Sequence, residues 1–93
     1  MIKVIIKQER HTKGSIEPIL FLPNCPANPG MIAYCSPYEG HGEASIGYYH
    51  ECEHVAPELR EKWRTWYENL GTDNTPVSIA YRQSSKDRAE AWQ

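Results

Sequence analysis

Apolar and polar residues alternate along the first stretch of the chain, IKVIIKQE. Ile2, Val4 and Ile6 fall on one side and Lys3, Ile5 and Lys7 on the other. A period of two predicts a strand over residues 2–9. HTKGS follows, and Gly14 suits the positive φ that a hairpin turn often needs. IEPILFL then predicts a second strand over residues 16–22. Pro18 has no N–H for a ladder, so one side of that strand is expected to meet an edge, a bulge or solvent. PNCPANPG is a loop stiffened by Pro23, Pro26 and Pro29. MIAYC predicts a third strand over residues 31–35, SPYEGHGE a turn with Gly40 and Gly42, and ASIGYYHEC a fourth strand over residues 44–52.

The period changes at Pro57. In PELREKWRTWYENLG the apolar residues Leu59, Trp63, Trp66, Tyr67 and Leu70 form one stripe at helical spacing. Pro57 fits the first helical position, Glu58 and Glu61 fall in the acid-favouring first turn, and Gly71 suits a left-handed residue past the end. Leu59 and Leu70 are expected to pack on the sheet and make this helix the energetic centre of the fold. Val77, Ile79 and Tyr81 then alternate with Ser78, Ala80 and Arg82 as a fifth strand. SSKDRAEAWQ closes the chain as a short helix or tail, capped by Ser84 or Ser85 and anchored by Trp92. The order ββββαβ implies an α+β fold: a small antiparallel sheet with one long amphipathic helix packed on one face.

At 93 residues and 40% apolar content the chain is read as a single domain over residues 1–93. A net charge of -2 gives no general attraction to nucleic acid or anionic lipid. The N-terminal stretch lacks a signal-peptide core, and no run reaches the length of a membrane span, so no membrane partner is expected. The odd count of three cysteines, Cys25, Cys35 and Cys52, argues against a disulfide framework and for a reduced, cytoplasmic protein.

One string resembles catalytic machinery: His50-Glu51-Cys52-Glu53-His54 spells H-E-x-x-H. In zinc peptidases that spacing works because residues four apart share one helix face, which brings both imidazoles to one ion. Here Pro57 lies three residues after His54, and inside a helix it would clash with the carbonyl of residue 53. The helix is therefore expected to begin at Pro57, with residues 50–54 ahead of it and outside any helix. As a strand, Ile46, Tyr48, His50, Cys52 and His54 would share a half-buried face, and Tyr49, Glu51 and Glu53 a solvated one. No catalytic residue and no cofactor is assigned. A structural zinc site remains an alternative, drawing on Cys52, His54, His50, Cys25 and Cys35, although no pair has the tight spacing of a zinc knuckle.

Two surfaces point to partners. Lys3, Lys7, Arg10 and Lys13 on the first strand and turn, with Arg82, Lys86 and Arg88 near the C-terminus, would form one basic stripe if the first and fifth strands were neighbours. That is the alternative reading, a nucleic-acid-associated module. The leading one is a small non-enzymatic module that binds another protein, in the style of a phage accessory or inhibitor protein acting on a host enzyme. Arg60, Arg64, Tyr67 and Trp63 on the helix are residue types that anchor interfaces, and Pro26 and Asn28 sit on the rigid prolyl loop.

Overall fold

The computed structural model describes residues 2–11, 13–70 and 76–93. Among these residues nine elements follow one another: β1 (Ile2–Arg10), β2 (Ile16–Leu22), β3 (Met31–Ser36), β4 (Gly40–Ser45), α1 (Ile46–Glu51), β5 (Glu53–His54), α2 (Pro57–Leu70), β6 (Val77–Ile79) and α3 (Ser85–Ala91). The fold is α+β, and its main elements keep the expected order. Strands β4, β3, β2 and β1 form an antiparallel meander. The outer edge of β1 is shared: β5 pairs antiparallel with Lys7 and Gln8, and β6 runs parallel to Ile2–Val4. Helix α2 lies in the chain between those two short strands. Pro18 pairs with Gln8 of β1, but the β2–β3 ladder starts only at Leu20, so the missing N–H falls beyond the end of β3.

Two cores flank the sheet. On one face Val4, Ile6, Leu20, Leu22, Val55 and Val77 are buried, and Leu59, Trp63, Trp66 and Tyr67 of α2 pack against them. On the other, Ile5, Ile19, Phe21, Ile32, Tyr49 and Cys52 are buried beneath α1. Alternation along β1 and β2 supplies both sets, Val4 and Ile6 to one side and Ile5 to the other.

The expectation of a fourth strand over residues 44–52 is corrected. The strand occupies Gly40–Ser45, and the chain then turns into α1. Ser45 caps this helix, its Oγ accepting from Tyr48 N at 3.1 Å. Helical spacing sends Tyr49 and Cys52 inward, where the Tyr49 ring meets Phe21 edge-on at 5.0 Å, and leaves His50 and Glu51 exposed. His50 and Glu51 are thus helical, contrary to expectation, and the proposed strand faces do not form. The start of α2 at Pro57 is as expected. Its role as energetic centre is not: no residue of α2 is fully buried, and Leu70 is 52% exposed. The largest fully buried side chains, Phe21, Ile5, Leu20 and Ile32, all belong to the sheet. The helix lies over β1 and β6, at the sheet's margin, where neighbours cover only part of it. Gly71 lies outside the described residues.

α3 is capped at Ser84 by a reciprocal box with Asp87. Trp92 Nε1 donates to Met31 O at 2.7 Å, the anchor expected of that indole. Among the described residues, no helix is long and apolar enough to cross a membrane.

Candidate functional site

The H-E-x-x-H residues are dispersed. His50 and Glu51 end α1, Cys52 is its C-cap, and Glu53 and His54 form β5. The two histidines therefore do not share one helix face, and the geometry that makes this string a zinc motif is absent. The thiols do not converge either. Cys25 packs with the α2-side core, and Cys35 pairs in register with Leu20 of that core, while Cys52 lies on the opposite face with Tyr49. Burial raises the pKa of all three above the ordinary thiol value, which keeps them protonated and poorly nucleophilic at neutral pH. His50 and His54 are exposed, and desolvation followed by the charges of Lys7 and Arg60 holds His54 below the usual histidine value.

The basic residues separate as well. Lys7 is buried, its Nζ donating to Tyr49 O at 2.8 Å and lying 4.0 Å from the Tyr49 ring centroid. Burial lowers its ionisation, and the amine serves the C-terminal turn of α1 rather than a surface stripe. Lys3 pairs with Asp87 at 2.8 Å and Arg10 with Glu53 at 3.3 Å. Lys13 is exposed on the hairpin turn. Arg82 and Arg88, with Gln83, Ser84 and Ser85, line a recess of about 390 Å³, and Lys86 is exposed on α3.

Of the residues expected to contact a partner, Asn28 is tied to Glu43 by two hydrogen bonds, and Pro26 is exposed beside it. Arg64 is clamped between Glu61 and Glu68. Tyr67 turns toward the Cys25 and Cys35 side of the core, where burial raises its pKa above the ordinary phenol value. Arg60 lies 5.1 Å from the ring of the exposed Tyr81. Trp63 opens onto a groove.

That groove holds about 230 Å³ and runs between the end of the β1–β2 hairpin and the first turns of α2. Ile16, Pro18, Val55, Leu59 and Trp63 form its apolar walls, with Gln8 and Lys62 at its polar margin. Ile16 is 45% exposed although it is a β-branched residue on a strand. Trp66 meets Trp63 edge-on at 5.8 Å and holds that indole as a fixed wall. Lys62 Nζ lies 4.9 Å from the Trp63 ring centroid and, among the described residues, makes no ion pair. Ile16, Pro18 and Val55 were missing from the sequence-derived site. Their signal was an apolar residue directly after a turn, facing a proline, which reads equally well as a strand start.

Comparison with protein-family models, with curated proteins and with solved structures finds no match for this chain.

Proposed function

We propose that this chain is a protein-binding module whose groove between the β1–β2 hairpin and α2 receives an apolar side chain of a partner protein. The supporting observation is the groove itself: five apolar walls around about 230 Å³, left open to solvent by a helix that buries none of its residues fully. Rigid aromatic and aliphatic walls of this kind lose little conformational entropy when occupied, and they resemble the pockets in which interface anchors sit. The cation of Lys62 at the margin, without an ion pair among the described residues, favours a partner segment with an acidic residue beside its apolar anchor. A role as an accessory or inhibitory protein toward an enzyme is one use of such a groove.

Photo-crosslinking tests this reading. A crosslinking side chain placed at Ile16 or Lys62 should yield one defined product in extract of the native host, and the same probe at Glu90 on α3 should not. Trp63→Ala should weaken affinity for the captured partner by about 2 kcal/mol or more, at least ten-fold. Equal products from Glu90, or none from Ile16, refute the groove as the binding surface.

A second reading rests on the Arg82–Arg88 recess. Two guanidinium groups at one recess suit phosphate oxygens, and binding to single- or double-stranded nucleic acid that weakens steeply with salt would favour it.

A further inference from the structure

On the opposite side of the same hairpin lies a second cluster, one that the groove does not involve. Register places Glu9 of β1 directly across from Glu17 of β2. His11, two residues beyond Glu9, falls on the same side. The turn holds it there: His11 N donates to Ser15 O, and Gly14 N to His11 O, each at 2.9 Å. One ligand atom from each of Glu9, His11 and Glu17 lies within 4.8 Å of the others. His11 Nε2 is 3.3 Å from a Glu17 oxygen and 4.0 Å from a Glu9 oxygen.

Two features of this cluster call for a cation. Like charges directly opposite one another destabilise a strand pair, and the nearby cations are committed elsewhere, Lys7 to Tyr49 O and Arg10 to Glu53. Moreover, His11 Nε2 is sealed from solvent yet has no hydrogen-bond partner. The Glu17 oxygen 3.3 Å away makes no hydrogen bond to it, so among the described residues the desolvation of that nitrogen is not offset by one, although the side chain as a whole is 38% exposed. The imidazole makes this more than a pair of acids, because it supplies a directional nitrogen ligand facing two oxygen ligands.

We infer that Glu9, His11 and Glu17 form a binding site for a divalent first-row transition metal, zinc foremost. Tetrahedral zinc with bonds of about 2.0–2.2 Å holds its ligand atoms roughly 3.3–3.6 Å apart. The His11–Glu17 separation of 3.3 Å already has that value, and the 4.0 Å to Glu9 needs only a small carboxylate rotation. Outer-sphere support is present: Tyr48 Oη donates to Glu9 Oε2 at 2.8 Å. Glu9 and Tyr48 also line a polar cleft of about 220 Å³. One nitrogen with two carboxylates suits zinc or its first-row neighbours, whereas calcium requires six to eight oxygens. The groove lies on the other side of the hairpin, so this site does not depend on the proposed function.

The test uses the full chain without an affinity tag, titrated calorimetrically with zinc chloride. One equivalent should bind, at least ten-fold more weakly in Glu17→Gln and in His11→Ala, and unchanged in His50→Ala. Circular dichroism of each variant separates loss of the site from loss of the fold, and Glu17→Gln preserves shape if His11→Ala unfolds. X-ray absorption of the zinc-loaded protein should show nitrogen and oxygen ligands only. Absence of stoichiometric binding, binding indifferent to Glu17→Gln, or a sulfur ligand would each overturn the assignment.

Discussion

Phe21→Ala removes the side chain on which the α1 side of the sheet is built. The ring is 0% exposed, and three tyrosines meet it edge-on: Tyr49 at 5.0 Å, Tyr48 at 6.4 Å and Tyr34 at 6.5 Å between centroids. Truncating a buried Phe costs about 3–5 kcal/mol in lost transfer energy and residual cavity. Edge-to-face contacts add about 0.5–1.5 kcal/mol each beyond area, so the upper half of that range, about 4–5 kcal/mol, applies here. A domain of this size is stable by about 5–14 kcal/mol, so the variant keeps little reserve. At about 4–8 °C per kcal/mol, its midpoint should fall by at least about 15 °C. Leu70→Ala provides the contrast. Half exposed at the end of α2, it should stay within about 0.5 kcal/mol of the parent. Urea titration followed by circular dichroism measures both, with an unchanged slope as the check on two-state behaviour. If Leu70→Ala costs as much as Phe21→Ala, or Phe21→Ala costs under 1 kcal/mol, the sheet is not the energetic centre.

Further expectations concern the caps and the edge. Ser84→Ala should lower stability by about 1 kcal/mol, because the hydroxyl accepts from Asp87 N at 3.1 Å. Burial alone would raise Asp87, but its bonds to Lys3 and to the Ser84 amide and hydroxyl outweigh that and hold it below its ordinary 3.8. A depressed carboxyl contributes stability that is full above the unfolded value and lost as pH falls through the folded one. The stability gap between parent and Asp87→Asn should therefore be widest at neutral pH and close below about pH 4 in urea titrations. Gly42→Ala on β4 should cost about 1 kcal/mol or more, because the new Cβ would lie 2.9 Å from Tyr34 Oη and displace the ring that donates to Glu39. A midpoint equal to the parent's would show that the ring yields freely.

Legibility followed how locally each feature is determined. The first three strands, the start of α2 and the capped C-terminal helix were readable because periodicity, prolines and caps act within a few residues. The segment SIGYYHEC was not. Its alternation fits a strand, and it becomes a helix because Ser45 caps it and Phe21, distant in sequence, receives Tyr49. The α2 stripe was read correctly as a helix and wrongly as the centre, since periodicity reports which face turns inward but not how much sheet lies beneath it. The basic stripe failed for a related reason. Strands β1 and β6 are indeed neighbours, yet Lys7 points under Tyr49 rather than outward. The cluster of Glu9, His11 and Glu17 was invisible without strand register, because Glu17 reaches the other two only across the hairpin.

That register also explains how one hairpin carries two unrelated surfaces. Glu9 stands opposite Glu17, and Gln8 opposite Pro18. Successive residues point to opposite sides, so the carboxylates face α1 and its Tyr48, while Pro18 faces α2 and its Trp63. A slip of one residue would exchange them, placing a carboxylate in the apolar groove and an imide ring in the polar cluster. Burial of Ile19 and Phe21 on one face and of Leu20 and Leu22 on the other opposes such a slip. Adjacent residues thus become independent levers. Glu17→Gln should weaken zinc binding at least ten-fold and leave crosslinking from position 16 intact, whereas Trp63→Ala should weaken partner capture and leave zinc binding intact. Loss of both properties in either variant would mean that the hairpin had shifted as a unit, and neither patch could then be assigned by mutation alone.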